Sequence, residues 1–189
     1  MRQMGLRFEV IESAVDESRI AADHPRTFAL RAAYAKARDV ADHAAPPALV
    51  VAADTVVTCR MRLFGKPQSE SEARSMLRAL SGHTHQVITG LALAEAGKPS
   101  VVLESEETRV TFRSLSDAEI DAYLATGEPF DKAGAYGIQG HGGGLVESID
   151  GDYFNVVGLP CALLLRMLGQ YIDTRPYKVP PLKMNRGKA

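Results

Sequence analysis

Residues Ala48 to Ala53, ALVVAA, form an unbroken apolar run, and the next residue is Asp54. A strand that is apolar on both sides of its pleat has no face to give to water, so other elements must cover it on both sides. That requirement points to a sheet sandwiched between helices. The chain can meet it: 189 residues, 46 % of them hydrophobic, suffice for one well-buried core. A carboxylate directly after such a run marks Asp54 as the end of a buried strand, where open α/β sheets place their ligands.

The flanking pattern supplies the covering elements. LRFEVI, Leu6 to Ile11, reads as a short strand. Asp23 to His43 reads as a helix, capped by Asp23, with Pro25 in its first turn and alanines along its body. Ser69 and Glu72 form a capping box before a helix reaching Leu80, and Ser116 and Glu119 form a second before a helix that Gly127 stops. Gln86 to Ala94 and Val101 to Phe112 read as strands joined by EAGKPS. Gly144 to Ser148 and Tyr153 to Val157 flank a tight turn, and Pro160 opens a last helix through Leu168. Strands alternate with helices, so the expected class is α/β, with one antiparallel excursion.

Several function classes are excluded. The net charge of −1 gives no general attraction to nucleic acid or an anionic membrane. No apolar run nears the ~20 residues of a membrane span. MRQMGLRFEV lacks the apolar core of a signal peptide, and two cysteines make neither a disulfide framework nor a metal motif. The expected compartment is the cytoplasm.

The residues with chemistry are few. Asp54 can take a proton or ligate a metal, or it can be a turn cap. Thr55 beside it can donate to a ligand, or be an ordinary strand residue. Lys66, held between Gly65 and Pro67 in FGKP, suits a phosphate, or is a turn lysine; the segment is not a Walker loop. The adjacent Asp16 and Glu17 can help hold a divalent cation, or lie in a solvated loop. Lys36 lies mid-helix, where a solvated face is the plain alternative. His83 and His85 invite a metal, but no third ligand is evident. DKAGAYGIQGHGGG, Asp131 to Gly144, carries one lysine, Lys132, and one glutamine, Gln139, among bare glycines. Glycines let backbone N–H groups approach anionic oxygens, and a glutamine amide can meet the edge of a base.

Taken together, FEVIESAVDES, Ala33 to Ala37, VVAADTVV, FGKP, SGHTHQVITG, VTFRSLSDAEIDAYLATGEPFDKAGAYGIQG and FNVVGLP resemble the Maf family of nucleotide pyrophosphatases, in order and spacing. The resemblance implies a Maf/ITPase-like fold: a mixed, twisted sheet flanked by helices, in two lobes with a cleft between them. It implies cleavage of nucleoside triphosphates between the α and β phosphates with a divalent cation, Mg²⁺ or Mn²⁺. Asp54 would be the proton acceptor or metal-linked carboxylate, and Glu17 would assist at the metal. Lys36, Lys66 and Lys132 would bind phosphate, and Thr55 and Gln139 would choose the base. Family members acting on dTTP and UTP read DTVV and KAGAYGIQG, whereas those acting on 7-methyl-GTP read DQV and CAGSFKSEG; the first form stands here at both places. A homodimer is also implied.

One departure is plain. Family members open with a strand and an SxSPRR turn whose arginines grip phosphate, but Met1 to Gly5 match the end of the following helix. The expectation is therefore a single domain over 1–170, either with its true start upstream or with that strand and clamp lost, and a basic, proline-containing tail over 171–189. The alternative function is a catalytically weak nucleotide-binding protein acting through a partner.

Overall fold

The structure, a computed structural model, describes Met1 and residues 4–173. Part of the Met1 to Gly5 segment and most of the basic tail lie outside these residues.

Helix α1, Pro25–His43, is capped by His24, whose Nδ1 accepts from the Arg26 N–H at 3.3 Å. Asp23 is not the cap; its neighbour takes the role because Pro25 opens the helix. Ala29, Ala33, Ala37 and Ala41 recur every fourth residue and are buried with Ala32. A face of alanines lets the helix backbone lie close on the sheet. Opposite, Gly90 is needed, since a Cβ there would overlap the Ala29 carbonyl.

The sheet has β1 (Leu49–Cys59), β2 (Arg62–Phe64), β3 (Thr84–Glu95), β4 (Val101–Phe112) and β5 (Val146–Asp150), in the order β2-β1-β3-β4-β5. Every pairing among these strands is antiparallel. The α/β class holds, but the parallel neighbours implied by strand–helix alternation are absent among the described residues. The reason is topological: β1 and β3 are joined through β2 and α2 (Glu70–Leu80), and that path reverses direction. Asp54 pairs with Gly90 and Thr55 with Thr89.

Even-numbered residues of β1 and β3 face α1, with Val50, Ala52, Ala92 and Ala94 against its alanines. Odd-numbered residues face the other layer. There α2 buries Ala73, Met76, Leu77 and Leu80 beside α3 (Asp117–Leu124) over Val57, Val87, Val110 and Phe112. Burying each large apolar side chain contributes about 1.5–3 kcal/mol. Helix α5, Cys161–Leu168, covers Leu91 and Leu93. The Ser116–Glu119 capping box forms reciprocally, whereas at Ser69 only half of the box forms: its side chain accepts from Glu72 N–H, but the Glu72 carboxylate accepts from Gln68 N–H at 2.7 Å, one residue before the cap.

Three sequence expectations change. Leu6 to Ile11 makes no ladder and lies in irregular chain, because a strand needs a partner edge that local sequence cannot supply. Tyr153–Val157, expected to flank a tight turn with Gly144 to Ser148, is a short helix, α4: Asp152 caps it by accepting from Phe154 N–H at 2.8 Å, and Gly158 ends it at φ 112°. Asp54 does not end its strand; the β-branched Thr55, Val56 and Val57 carry β1 on to Cys59.

Candidate active site

Asp54 sits in the middle of β1 on the face toward α1, and is 8 % exposed. Lys36 reaches it from α1: its Nζ donates to Asp54 Oδ1 at 2.7 Å. The same Nζ pairs with Glu17 Oε1 at 2.6 Å. One ammonium thus holds two carboxylates from distant parts of the chain. Lys36 is no solvated helix residue, and the contact needs α1 to pack as closely as its alanines allow.

Glu17 and Asp16 part company. Asp16 caps the short 3-10 turn Glu17–Arg19, accepting from Ser18 N–H at 3.1 Å and Ser18 Oγ at 2.6 Å, and pairs with Arg19. That turn aims Glu17 alone at Lys36.

The electrostatics follow from burial. Asp54 is pushed above its ordinary carboxylate range, chiefly by burial and further by the Glu17 charge, against the pull of Lys36 and Lys66. Burial pushes Lys36 down, but its two carboxylate partners outweigh this and hold it above the usual lysine value. The result is a carboxylate more basic than usual beside a firmly charged ammonium.

A cavity of ≈ 790 Å³ opens from this centre. Glu17, Lys36 and Asp54 line one part of it, and Lys66, Lys132 and Gln139 another. Asp54 and Thr55 are neighbours on one strand, so they point to opposite faces of the sheet. The cavity reaches both because it wraps the edge of β1, which among the described residues is paired on that side only at Val57–Cys59. On the far face, Thr55 Oγ1 lies 2.8 Å from Thr89 Oγ1 and 3.5 Å from the Gly158 carbonyl.

Lys66 and Lys132 are brought together by a backbone bond between their loops, Gly134 N–H to Gly65 O at 3.0 Å. Lys132 Nζ donates to the Glu128 carbonyl at 3.0 Å and to Asp131 Oδ1 at 2.5 Å. All seven residues expected from the sequence therefore line one cavity.

Part of the glycine-rich loop has its partner within the chain. Two of its amides meet a protein anion: Glu128 Oε2 accepts from His141 N–H at 3.0 Å, and Oε1 from Gly142 N–H at 3.1 Å and Tyr123 Oη at 3.0 Å. Tyr123 Oη accepts in turn from Gly137 N–H at 3.1 Å. The bare backbone is needed for the fold-back. A Cβ on Gly142 would overlap the Gly137 carbonyl, and one on Gly140 would stand 2.8 Å from Glu128 Oε2. Neither Glu128 nor Tyr123 was marked out by sequence; the density of glycines after GEPFD was the available signal.

The two histidines part as well. His85 is buried, its Nε2 2.8 Å from Tyr136 Oη, and burial pushes it down to about 4. His83 precedes the strand and lies against Arg60 at 2.6 Å. Among the described residues no group of three or more His, Cys, Asp or Glu side chains gathers into a metal cage.

Comparison with known proteins agrees with this architecture. A family model described as Maf-like protein matches residues 1–171. The dTTP/UTP pyrophosphatase of Bacillus cereus (strain AH820) is 47 % identical over 167 residues, covering 88 % of this chain and 86 % of the relative. That of Alkaliphilus metalliredigens (strain QYMF) is 42 % identical over 171 residues, 90 % and 88 % of the two chains. That of Clostridioides difficile (strain 630) is 43 % identical over 173 residues, 92 % and 89 %. With the match running through Lys36, Asp54, Lys66 and the glycine-rich loop alike, the chain belongs to the Maf-like protein family.

Proposed function

We propose that this protein is a nucleoside triphosphate pyrophosphatase. Its substrates are dTTP, UTP and related modified pyrimidine nucleotides, and its products are the monophosphate and pyrophosphate. The observation that carries this is the Glu17–Lys36–Asp54 centre opening into a cavity that also holds Lys66, Lys132 and Gln139. The names of the relatives support the same reading.

In this reading, Asp54 accepts a proton from the attacking water; a carboxylate raised by burial is a better base than a solvated one. The water oxygen bonds to the α phosphorus, the bond from that phosphorus to the bridging oxygen breaks, and pyrophosphate leaves with the electron pair. Lys66 and Lys132 offset the charge on the polyphosphate. The strand edge divides the work: proton transfer at Asp54 on the α1 face, and the phosphate lysines with Thr55 and Gln139 for the base around the edge.

A divalent cation, Mg²⁺ or Mn²⁺, is part of the proposal. Glu17 and Asp54 suit it, because both carboxylates stand within hydrogen-bond reach of one nitrogen, and such ions bind through one or two carboxylates plus substrate phosphates. Bound there, the cation supplies further charge neutralisation on the phosphates.

The setting proposed is the cytoplasm. No helix among the described residues is long and apolar enough to cross a membrane, and both cysteines are free thiols. A homodimer belongs to the same proposal and is checked by light scattering. The test of function is initial rates on dTTP, UTP, CTP, ATP and 7-methyl-GTP with Mg²⁺ or Mn²⁺. A preference for dTTP and UTP is expected; a preference for 7-methyl-GTP contradicts the assignment.

A further inference from the structure

The glycine-rich loop presents a side chain, Gln139, at the apex of a turn whose ends meet. Gly137 and Gly142 approach so closely that a Cβ on the second would overlap the carbonyl of the first. Gln139 itself is exposed and lines the cavity. Something outside the turn must hold it, since six residues containing three glycines have large conformational freedom to lose.

That holder is the carboxylate of Glu128 with the hydroxyl of Tyr123. Between them they take three amides of the turn, those of Gly137, His141 and Gly142. Tyr123 is buried on α3 and donates to Glu128, so the clamp is anchored in the core. Burial pushes the Glu128 carboxyl up, but the N–H groups of Gly142 and His141 and the Tyr123 hydroxyl outweigh this and hold it below its usual range, so it is ionised at neutral pH.

We propose that Glu128, with Tyr123, is a positioning residue for base selection: it fixes the Gly137–Gly142 turn and thereby the depth at which Gln139 meets the base. The proposal rests on the pyrophosphatase reading. A purine reaches further than a pyrimidine, so a glutamine held at fixed depth tells them apart, whereas one on a loose turn gives way to either. The amides of Gly137, His141 and Gly142 are consequently taken by the clamp and not offered to the substrate phosphates.

The experiment compares kcat/KM for UTP and ATP in the wild type, Glu128→Gln, Tyr123→Phe and Gln139→Ala, and measures hydrogen exchange of the Gly137, His141 and Gly142 amides in the unliganded chains. Glu128→Gln keeps the shape but sets an NH₂ group against a backbone N–H. The UTP:ATP ratio is expected to fall about tenfold, mainly through a higher KM for UTP, with kcat within roughly twofold. Tyr123→Phe, which keeps the ring packing, shifts the ratio the same way by less. In a Gln139→Ala background, Glu128→Gln leaves the ratio unchanged, because both act through one contact. The ratio is independent of the fraction of folded enzyme, so a purely structural role would not move it. An unchanged ratio in both single variants, or a loss that persists without Gln139, overturns the proposal. A wild type with no activity on pyrimidine triphosphates refutes the function reading instead. Amide exchange then decides on the clamp: fast exchange at these three amides in the wild type overturns it, and protection lost in Glu128→Gln sustains it.

Discussion

Replacing Lys36 with methionine isolates the interaction on which the site is built. The substitution keeps most of the buried stem and removes the ammonium from Asp54 and Glu17. The Glu17 side chain is 50 % exposed, so its contact with Lys36 adds little to stability. The Asp54 contact is different: the lysine side chain is 23 % exposed and the aspartate 8 %. Breaking a well-buried pair costs ~3–5 kcal/mol, and a cavity open to water reduces this to roughly 2 kcal/mol. For a chain of this size that lowers Tm by about 4–8 °C. The pH dependence fixes the cause. Asp54 is already raised in the folded state, so its ionisation opposes folding, and stability falls as pH rises through its folded value. Without Lys36 that slope steepens. In metal-free buffer the variant should match the wild type at acid pH, where Asp54 is protonated, and fall behind as pH approaches neutrality. Differential scanning calorimetry across that range checks it. A second change, Asp54→Asn, should recover the loss at neutral pH. A deficit equal at every pH, or additive losses in the double variant, refutes the reasoning.

Other outcomes follow from the same geometry. Asp54→Asn alone should cut turnover by ~10²–10⁴-fold, as removal of a general base does, while Tm at neutral pH stays equal or rises, because the amide carries no charge to desolvate. Pyrophosphate release and calorimetry on one preparation read both. His85, held down to about 4 from an ordinary 6.5, gives stability that is present above about 6.5 and lost as pH falls toward about 4. His85→Phe should flatten that slope, which chemical denaturation at a series of pH values measures. Gly90→Ala should cost on the order of 1–3 kcal/mol or more, since α1 must lift from the sheet; its Tm is the check.

Features set by neighbouring residues were legible in the sequence. Ser116 with Glu119, and Ser69 with Glu72, specify helix starts within four residues; both serines cap their helices, though only Ser116 and Glu119 complete the reciprocal box. The run from Gln86 is a strand because its residues suit one, and it extends only slightly, to Thr84 and Glu95. Features set by pairing were not legible. Whether Leu6 to Ile11 becomes a strand depends on a partner edge, and whether β1 and β3 run together or opposed depends on the path through β2 and α2. The site divides in the same way. The seven residue types and their motifs were visible, but that Lys36 bridges Glu17 and Asp54 depends on α1 docking by its alanines. One feature of the glycine-rich loop was hidden for a comparable reason: two of its amides, His141 and Gly142, meet the Glu128 carboxylate of the same chain, which only the fold-back reveals.

The central claim is that the reaction breaks the bond between the α and β phosphates of a pyrimidine triphosphate, with Asp54 taking the proton. Anion-exchange separation of the products from UTP, run with the wild type and Asp54→Asn, tests it most directly. UMP and pyrophosphate in equal amounts from the wild type, and almost none from the variant, are predicted. UDP and orthophosphate as products, or undiminished UMP from Asp54→Asn, would contradict it.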